Sequence, residues 1–201
     1  MTVYKKTYES PPIDEKEILR DAGVAKNAES NDIAPLLSEC LKEALPLITY
    51  RLCYAEYPIK AEGETLDLTF IQTKSKSLQK NLENCHSVIL FAATLGISLD
   101  RLIYKYSHIS PAKALLFQAI GAERIEAICE AFMRELEAEK SAKGEKIRPR
   151  FSCGFGDFPL SAQKDIFGAL GCQKLLGISL GENLIMSPTK SVTAIVGISK
   201  T

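Results

Sequence analysis

Ser87-Val88-Ile89-Leu90-Phe91-Ala92-Ala93, running on into Thr94-Leu95-Gly96-Ile97-Ser98-Leu99, is the stretch that decides the architecture. The run from Val88 is too apolar to leave one face in water and too short to span a bilayer, so it predicts a buried strand. Gly96 ends the strand, and Ser98 and Leu99 open a helix that reaches about Tyr106. Ser110-Pro111 then starts another, with a serine cap ahead of a proline at the first helical position. Leu115, Leu116, Ala119, Ile125, Ile128, Ala131, Phe132 and Leu136 support one long helix from there to about Glu139. Gly121 falls inside it, where glycine costs roughly 1 kcal/mol relative to alanine. A close crossing with the sheet accounts for that glycine, and so does a break into two helices.

Outward from this strand and helix, Asp14 to Ala22 reads as a short helix ended by Gly23, and Asp32 to Leu45 as a second one. Thr49–Tyr54 and Thr65–Phe70 alternate like strands, with Lys60 to Glu64 as a turn between them, which predicts neighbouring antiparallel strands. Ser75 to Leu82 and Ser161 to Leu170 are expected as helices, and Ile185-Met186 and Val192 to Ile198 as strands. The expected fold is α+β, with a mainly antiparallel sheet and flanking helices in one domain over 1–201, its first 46 or so residues helical.

Composition narrows the function classes. Lys plus Arg equals Asp plus Glu at 25 each, so no global field favours nucleic acid. Met1-Thr2-Val3-Tyr4-Lys5-Lys6 lacks the apolar core of a signal peptide, and no run is long enough for a membrane helix, so a cytoplasmic protein is expected. Six scattered cysteines without a Cys-x-x-Cys pair, and only His86 and His108 beside them, argue against a metal site. In a reducing compartment those cysteines are small core-filling side chains. Cys153 is the exception to watch, because it lies inside the candidate ligand loop described next.

That loop is Arg148-Pro149-Arg150-Phe151-Ser152-Cys153-Gly154-Phe155-Gly156-Asp157-Phe158-Pro159-Leu160. Arginine presents a planar, permanently charged fork that matches a carboxylate or phosphate. Glycine beside it lets a ligand approach the main chain. On spacing alone this is either an anion-binding loop or a turn stapled by a surface arginine.

The order of residues carries more. Arg150-x-x-x-Gly154-Phe155 resembles the Arg-x-x-x-Gly-Tyr signature of the activation domain of cobalamin-dependent methionine synthase, the module that binds S-adenosylmethionine. Gln163, Ile166-Phe167, Leu170 and Leu176 to Leu180 look like the family's run after the arginine. Pro188-x-Lys190-Ser191-Val192-Thr193-Ala194-Ile195-Val196-Gly197 looks like its closing strand. Upstream, Ala92-Ala93-Thr94-Leu95-Gly96-x-x-x-Asp100-Arg101 and Gly121-Ala122-x-x-Ile125-Glu126 are similar to the same family. Glu17-Ile18-Leu19-Arg20-x-x-Gly23 resembles the form that occurs as a separate chain.

The resemblance implies a curved antiparallel sheet with flanking helices. It implies that Arg150 holds the ligand carboxylate, with Ser152, Gly154, Phe155 and Asp157 around the S-adenosylmethionine site. Asp157 receives the ligand's ammonium, or else caps the helix that follows the loop. Lys190 and Ser191 face the ligand or a partner, or are merely solvated, and Glu126 binds a ligand or a neighbouring backbone. Phe155 stands where the family has tyrosine and so lacks a hydroxyl. The implied role is that of an accessory reactivation subunit. It supports reductive remethylation of cob(II)alamin on a separate cobalamin-carrying methionine synthase or methyltransferase, with a one-electron donor such as flavodoxin and cobalamin arriving only on that partner. The alternative is a non-catalytic scaffold that docks on a corrinoid protein without S-adenosylmethionine.

Overall fold

The computed structural model describes residues 1–24 and 33–200. In chain order, strand β1 (Tyr4–Tyr8) leads into helices α1 (Glu15–Asp21) and α2 (Ile33–Ala44). Strands β2 (Tyr50–Pro58), β3 (Lys60–Glu62), β4 (Thr65–Asp67) and β5 (Gln72–Thr73) follow, then helix α3 (Lys76–Asn81) and strand β6 (Cys85–Thr94). Helices α4 (Ser98–Ile109) and α5 (Pro111–Ser141) precede strand β7 (Glu145–Ile147). Helices α6 (Gln163–Leu170) and α7 (Cys172–Leu176) lead to strands β8 (Ser179–Leu180), β9 (Met186–Ser187) and β10 (Ser191–Lys200).

The apolar run that set the expectation is β6, the middle strand of a curved five-stranded sheet ordered β1-β2-β6-β10-β7, antiparallel throughout. It is buried from Ser87 to Thr94 because both faces of the sheet are covered. On one face Ile89, Phe91 and Ala93 pack with Phe117, Ile120, Ile128 and Phe132 of α5. On the other, Val88, Leu90 and Ala92 pack with Phe158, Ile166, Leu170 and Leu176. Strict alternation is therefore lost on β6 but kept as an alternation between two cores. The α+β architecture, with an antiparallel sheet and flanking helices, is the observed one.

Gly121 does not break α5. A Cβ there would lie 2.7 Å from Leu99 Cδ2 and 2.7 Å from Lys190 Cε, so the glycine admits α4 and the turn before β10. Ser110 occupies the cap position of α5, but its side chain makes no capping bond; Pro111 alone marks the start. The hairpin expected between 49–54 and 65–70 is not formed. β2 pairs instead with β1 and β6, whereas β4 pairs with β3 in a separate three-stranded sheet. The intervening Lys60–Glu62, expected in the turn, is itself the partner strand, and the reversal is tighter, at Gly63 with φ +60°. β1 lies inside the stretch expected to be helical, and the predicted start of α2 at Asp32 lies outside the described residues. No helix among the described residues is long and apolar enough to cross a membrane.

Candidate functional site

After β7 the chain stays beside β10 and is pinned to it. Arg148 N donates to Gly197 O at 2.8 Å, and Phe151 and Ile195 exchange two backbone bonds at 2.8 Å each. Ser152 Oγ donates to Thr193 O at 2.9 Å. Arg150 therefore sits between fixed points, and its guanidinium meets the Glu126 carboxylate on α5 in an ion pair. Burial works against the charge on Arg150, but the Glu126 carboxylate outweighs it and raises the guanidinium pKa further.

Beyond Ser152 the loop turns sharply. Gly154 has φ +90° and donates from its N–H to Phe158 O at 2.9 Å. Gly156 has φ +55°, and a Cβ on it would strike Ser77 Oγ at 2.3 Å, so only glycine lets the loop approach α3 this closely. Asp157 then reaches across to the start of α3. It accepts from Ser75 Oγ at 2.6 Å, Lys76 N at 2.7 Å and Ser77 N at 3.0 Å. These bonds, that from the Ser75 hydroxyl first, hold its carboxyl far below the usual carboxylate range. The expected cap of the following helix is corrected here: Asp157 caps α3, which lies 80 residues earlier in the chain. Its oxygens are occupied by that role.

Glu126 is one of several carboxylates on a single face of α5. Glu123, Glu126, Ala127, Glu130 and Arg134 follow helical spacing and form one wall of a groove of about 540 Å³. Pro11, Pro12, Asp14 and Glu17 form the opposite wall. That wall is latched to α5 by a buried pair: Arg124 donates to Pro11 O and to Pro12 O at 2.6 Å each and pairs with Glu123, which in turn accepts from Asp14 N at 3.1 Å. Asp14 also caps α1 through Lys16 N and Glu17 N. The groove thus has the size of a small-molecule site. It carries an excess of carboxylates, with Arg150 engaged at Glu126.

The remaining expected residues divide. Phe155 is 65% exposed and touches Phe151, the ring centroids 6.2 Å apart, so its ring stands open beside Arg150 and Gly154. Cys153 is buried in the second core, and burial pushes its thiol up to about 12; this makes it a packing residue and removes it as a reactive one. Ser191 is buried, with its hydroxyl 2.9 Å from Thr94 Oγ1 and donating to Pro188 O at 2.8 Å, which fixes the turn into β10. Lys190 lays its stem over Gly121 on the α5 side of the sheet. Burial lowers its pKa, and Asp100 and Asp21 oppose the shift. The structure thus gathers Arg150, Ser152, Gly154 and Phe155 in one loop, ties Asp157 to α3, and sets Lys190 and Ser191 at the start of β10. Sequence reasoning left Glu126 open and missed Glu123, Glu130, Asp14 and Glu17. The acidic spacing along α5 was readable, but the strap that faces it was not. Among the described residues no group of three or more His, Cys, Asp or Glu side chains is placed to hold a metal ion.

No protein-family model matches this sequence, and no curated protein matches it. Among solved structures, the chain is similar to the crystal structure of the MetH reactivation domain bound to AdoHcy, with a TM-score of 0.67 over 98% of this chain and 78% of that one. Sequence identity between the two is 14%. The likeness is one of fold: this chain has the architecture of the MetH reactivation domain.

Proposed function

We propose that this chain binds S-adenosylmethionine in the groove between α5 and the Pro11-to-Glu17 wall, and presents it to a cobalamin held by a separate methyltransferase. The observation that carries the proposal is the Arg150–Glu126 pair at a carboxylate-rich groove, within a fold whose solved neighbour has AdoHcy bound. The methionine end of such a ligand carries a carboxylate and an ammonium, and a guanidinium beside carboxylates offers a partner to each. The sulfonium adds a second positive charge, which the acidic lining complements. When bound, the ligand supplies the methyl group. The chain's own residues have three tasks: Arg150 fixes the carboxylate, Glu126 and Glu130 receive the ammonium, and the exposed backbone at Gly154, bare of a side chain, lets the ligand lie close to the loop. Reductive remethylation then needs a one-electron donor and a partner that brings the cob(II)alamin.

Calorimetric titration with S-adenosylmethionine tests this reading. The native chain is expected to bind, and Arg150→Ala to bind more weakly by about 2–4 kcal/mol with an unchanged fold. Binding by the native chain followed by no acceleration of methylcobalamin formation, with partner and reductant present, would leave a binding protein without the reactivation role. A second reading is favoured by one observation, that Arg150 is already engaged by Glu126. If the native chain binds no S-adenosylmethionine at millimolar concentration, the pair is structural and the chain is a scaffold for a corrinoid protein.

A further inference from the structure

Helices α6 and α7 cover the sheet face opposite α5, and between them and strand β8 runs a groove of about 390 Å³. Phe167, Ile178 and Leu180 give it an apolar lining, and Lys164, Gln173 and Glu182 are its long polar side chains. Small-molecule sites of this size join apolar walls to a few polar groups in the same way. The fold makes no use of the two charges. Lys164 and Glu182 are both exposed, and neither forms an ion pair or hydrogen bond with a described residue, the other included. One groove therefore holds a cation and an anion, each without a partner.

The backbone adds a donor and an acceptor. β8 pairs only with β9, Ser179 with Ser187 and Leu180 with Met186. Gly181 N donates to Ile185 O at 2.9 Å, which puts the bonded positions of this antiparallel ladder at Gly181 and Ser179. The N–H and C=O of Leu180, between them, point away from β9, and no backbone bond among the described residues takes them up elsewhere. The groove draws its wall from Ser179 to Glu182 and nothing from β9, so it follows the edge that β9 leaves free. The turn carrying Glu182 is held in place: Leu184 N donates to Gly181 O at 2.9 Å, and Ile185 N to Asn183 Oδ1 at 3.2 Å.

We propose that this groove binds a short apolar peptide, of dipeptide size and with both ends free, in extended form along β8. Lys164 meets its carboxylate and Glu182 its ammonium, as charge-assisted bonds. The free N–H and C=O of Leu180 pair with its main chain, as a sheet edge pairs with an added strand, and its side chains lie against Phe167 and Ile178. A segment inside a longer chain has no charged ends and would leave Lys164 and Glu182 unmatched. A single amino acid has both charges but no amide for Leu180. The groove is on the other face of the sheet from Arg150 and Glu126, so it stands whether or not that site binds S-adenosylmethionine.

The test is a two-dimensional nuclear magnetic resonance titration of the native chain with leucyl-leucine. A saturable shift of the Leu180 amide is expected, with a dissociation constant below about 1 mM. Leucyl-leucine amide lacks the carboxylate and N-acetyl-leucyl-leucine lacks the ammonium, and each is expected to bind about tenfold more weakly. Free leucine is expected to bind more weakly than the dipeptide. Lys164→Gln and Glu182→Gln alter exposed side chains and keep the fold. The first is expected to bind leucyl-leucine and its amide equally, and the second to bind leucyl-leucine and its acetylated form equally. Four results overturn the site: no saturable shift at Leu180 up to about 10 mM dipeptide, equal affinity for free and blocked dipeptides, leucine binding as tightly as leucyl-leucine, or both variants keeping the native preference.

Discussion

At the scale of single residues, the loop after β7 separates side chains that hold the backbone from side chains left open to a ligand. Ser152, Gly156 and Asp157 belong to the first group; Phe155 faces outward, and Arg150 is half-buried against Glu126. Because Phe155 is largely exposed, Phe155→Tyr adds a hydroxyl to solvent and is expected to leave stability within about 0.5 kcal/mol. If a hydroxyl at this position reaches the ligand, calorimetry will show S-adenosylmethionine binding tightened by roughly 0.5–1.5 kcal/mol. Unchanged affinity would mean that the ring alone serves the site. Asp157 gives a pH signature. Its folded carboxyl titrates far below the ordinary value of 3.8, so the stability it contributes is present above that value and is lost as pH falls toward the folded one. Asp157→Asn cannot titrate. The urea midpoint of the native chain is therefore expected to exceed that of Asp157→Asn at pH 6, with the gap shrinking as pH is taken below about 4. A gap that stays constant down to pH 2 would show that the carboxylate charge plays no part in capping α3.

At the scale of elements, the long patterned segments were legible and the short ones were not. β6, α5 and β10 each carry an apolar pattern long enough to identify both the type of element and its burial. β1, with the sequence Tyr-Lys-Lys-Thr-Tyr, shows little of this, because an edge strand owes its conformation to the partner it pairs with, here β2. β7 and α7 have three and five residues and exist only through their neighbours. The candidate site was half legible for the same reason. The arginine and glycines of the loop could be read as an anion site, whereas the Arg150–Glu126 pair joins residues 24 apart whose meeting depends on how α5 crosses the sheet. Gly121 shows what the close packing of α4 and of the turn before β10 on α5 demands. Gly121→Ala gains about 1 kcal/mol of helix propensity, but its methyl would lie 2.7 Å from the fully buried Leu99 as well as from the stem of Lys190. Overpacking of a fixed core contact costs about 1–3 kcal/mol, so a net loss of up to about 2 kcal/mol is expected in urea unfolding. A stabilised variant would mean that α4 can move away without penalty, and that close packing is not the reason for the glycine.

At the scale of the whole molecule, one sheet separates two cores, and the start of the chain closes the outer side of one of them by crossing α5. Arg124 is fully buried at the centre of that crossing, with Glu123 beside it and the carbonyls of Pro11 and Pro12 as its other acceptors. The pair therefore joins the first strand and helix to the longest helix, and the same contact sets the width of the acidic groove. Removing one member leaves the other charge buried without compensation, a larger loss than removing both. Arg124→Met is accordingly expected to destabilise the chain by about 3–5 kcal/mol, with Arg124→Met/Glu123→Gln recovering part of that loss. The two effects of the latch can be told apart. Protease susceptibility between Ser10 and Gly23 should rise in Arg124→Met before the sheet amides lose protection from hydrogen exchange, because the strap is fastened by few contacts and the sheet by many. If cleavage and exchange rise together, the strap is part of the global fold instead of a separately fastened wall, and mutations in it would then alter groove binding only by unfolding the protein.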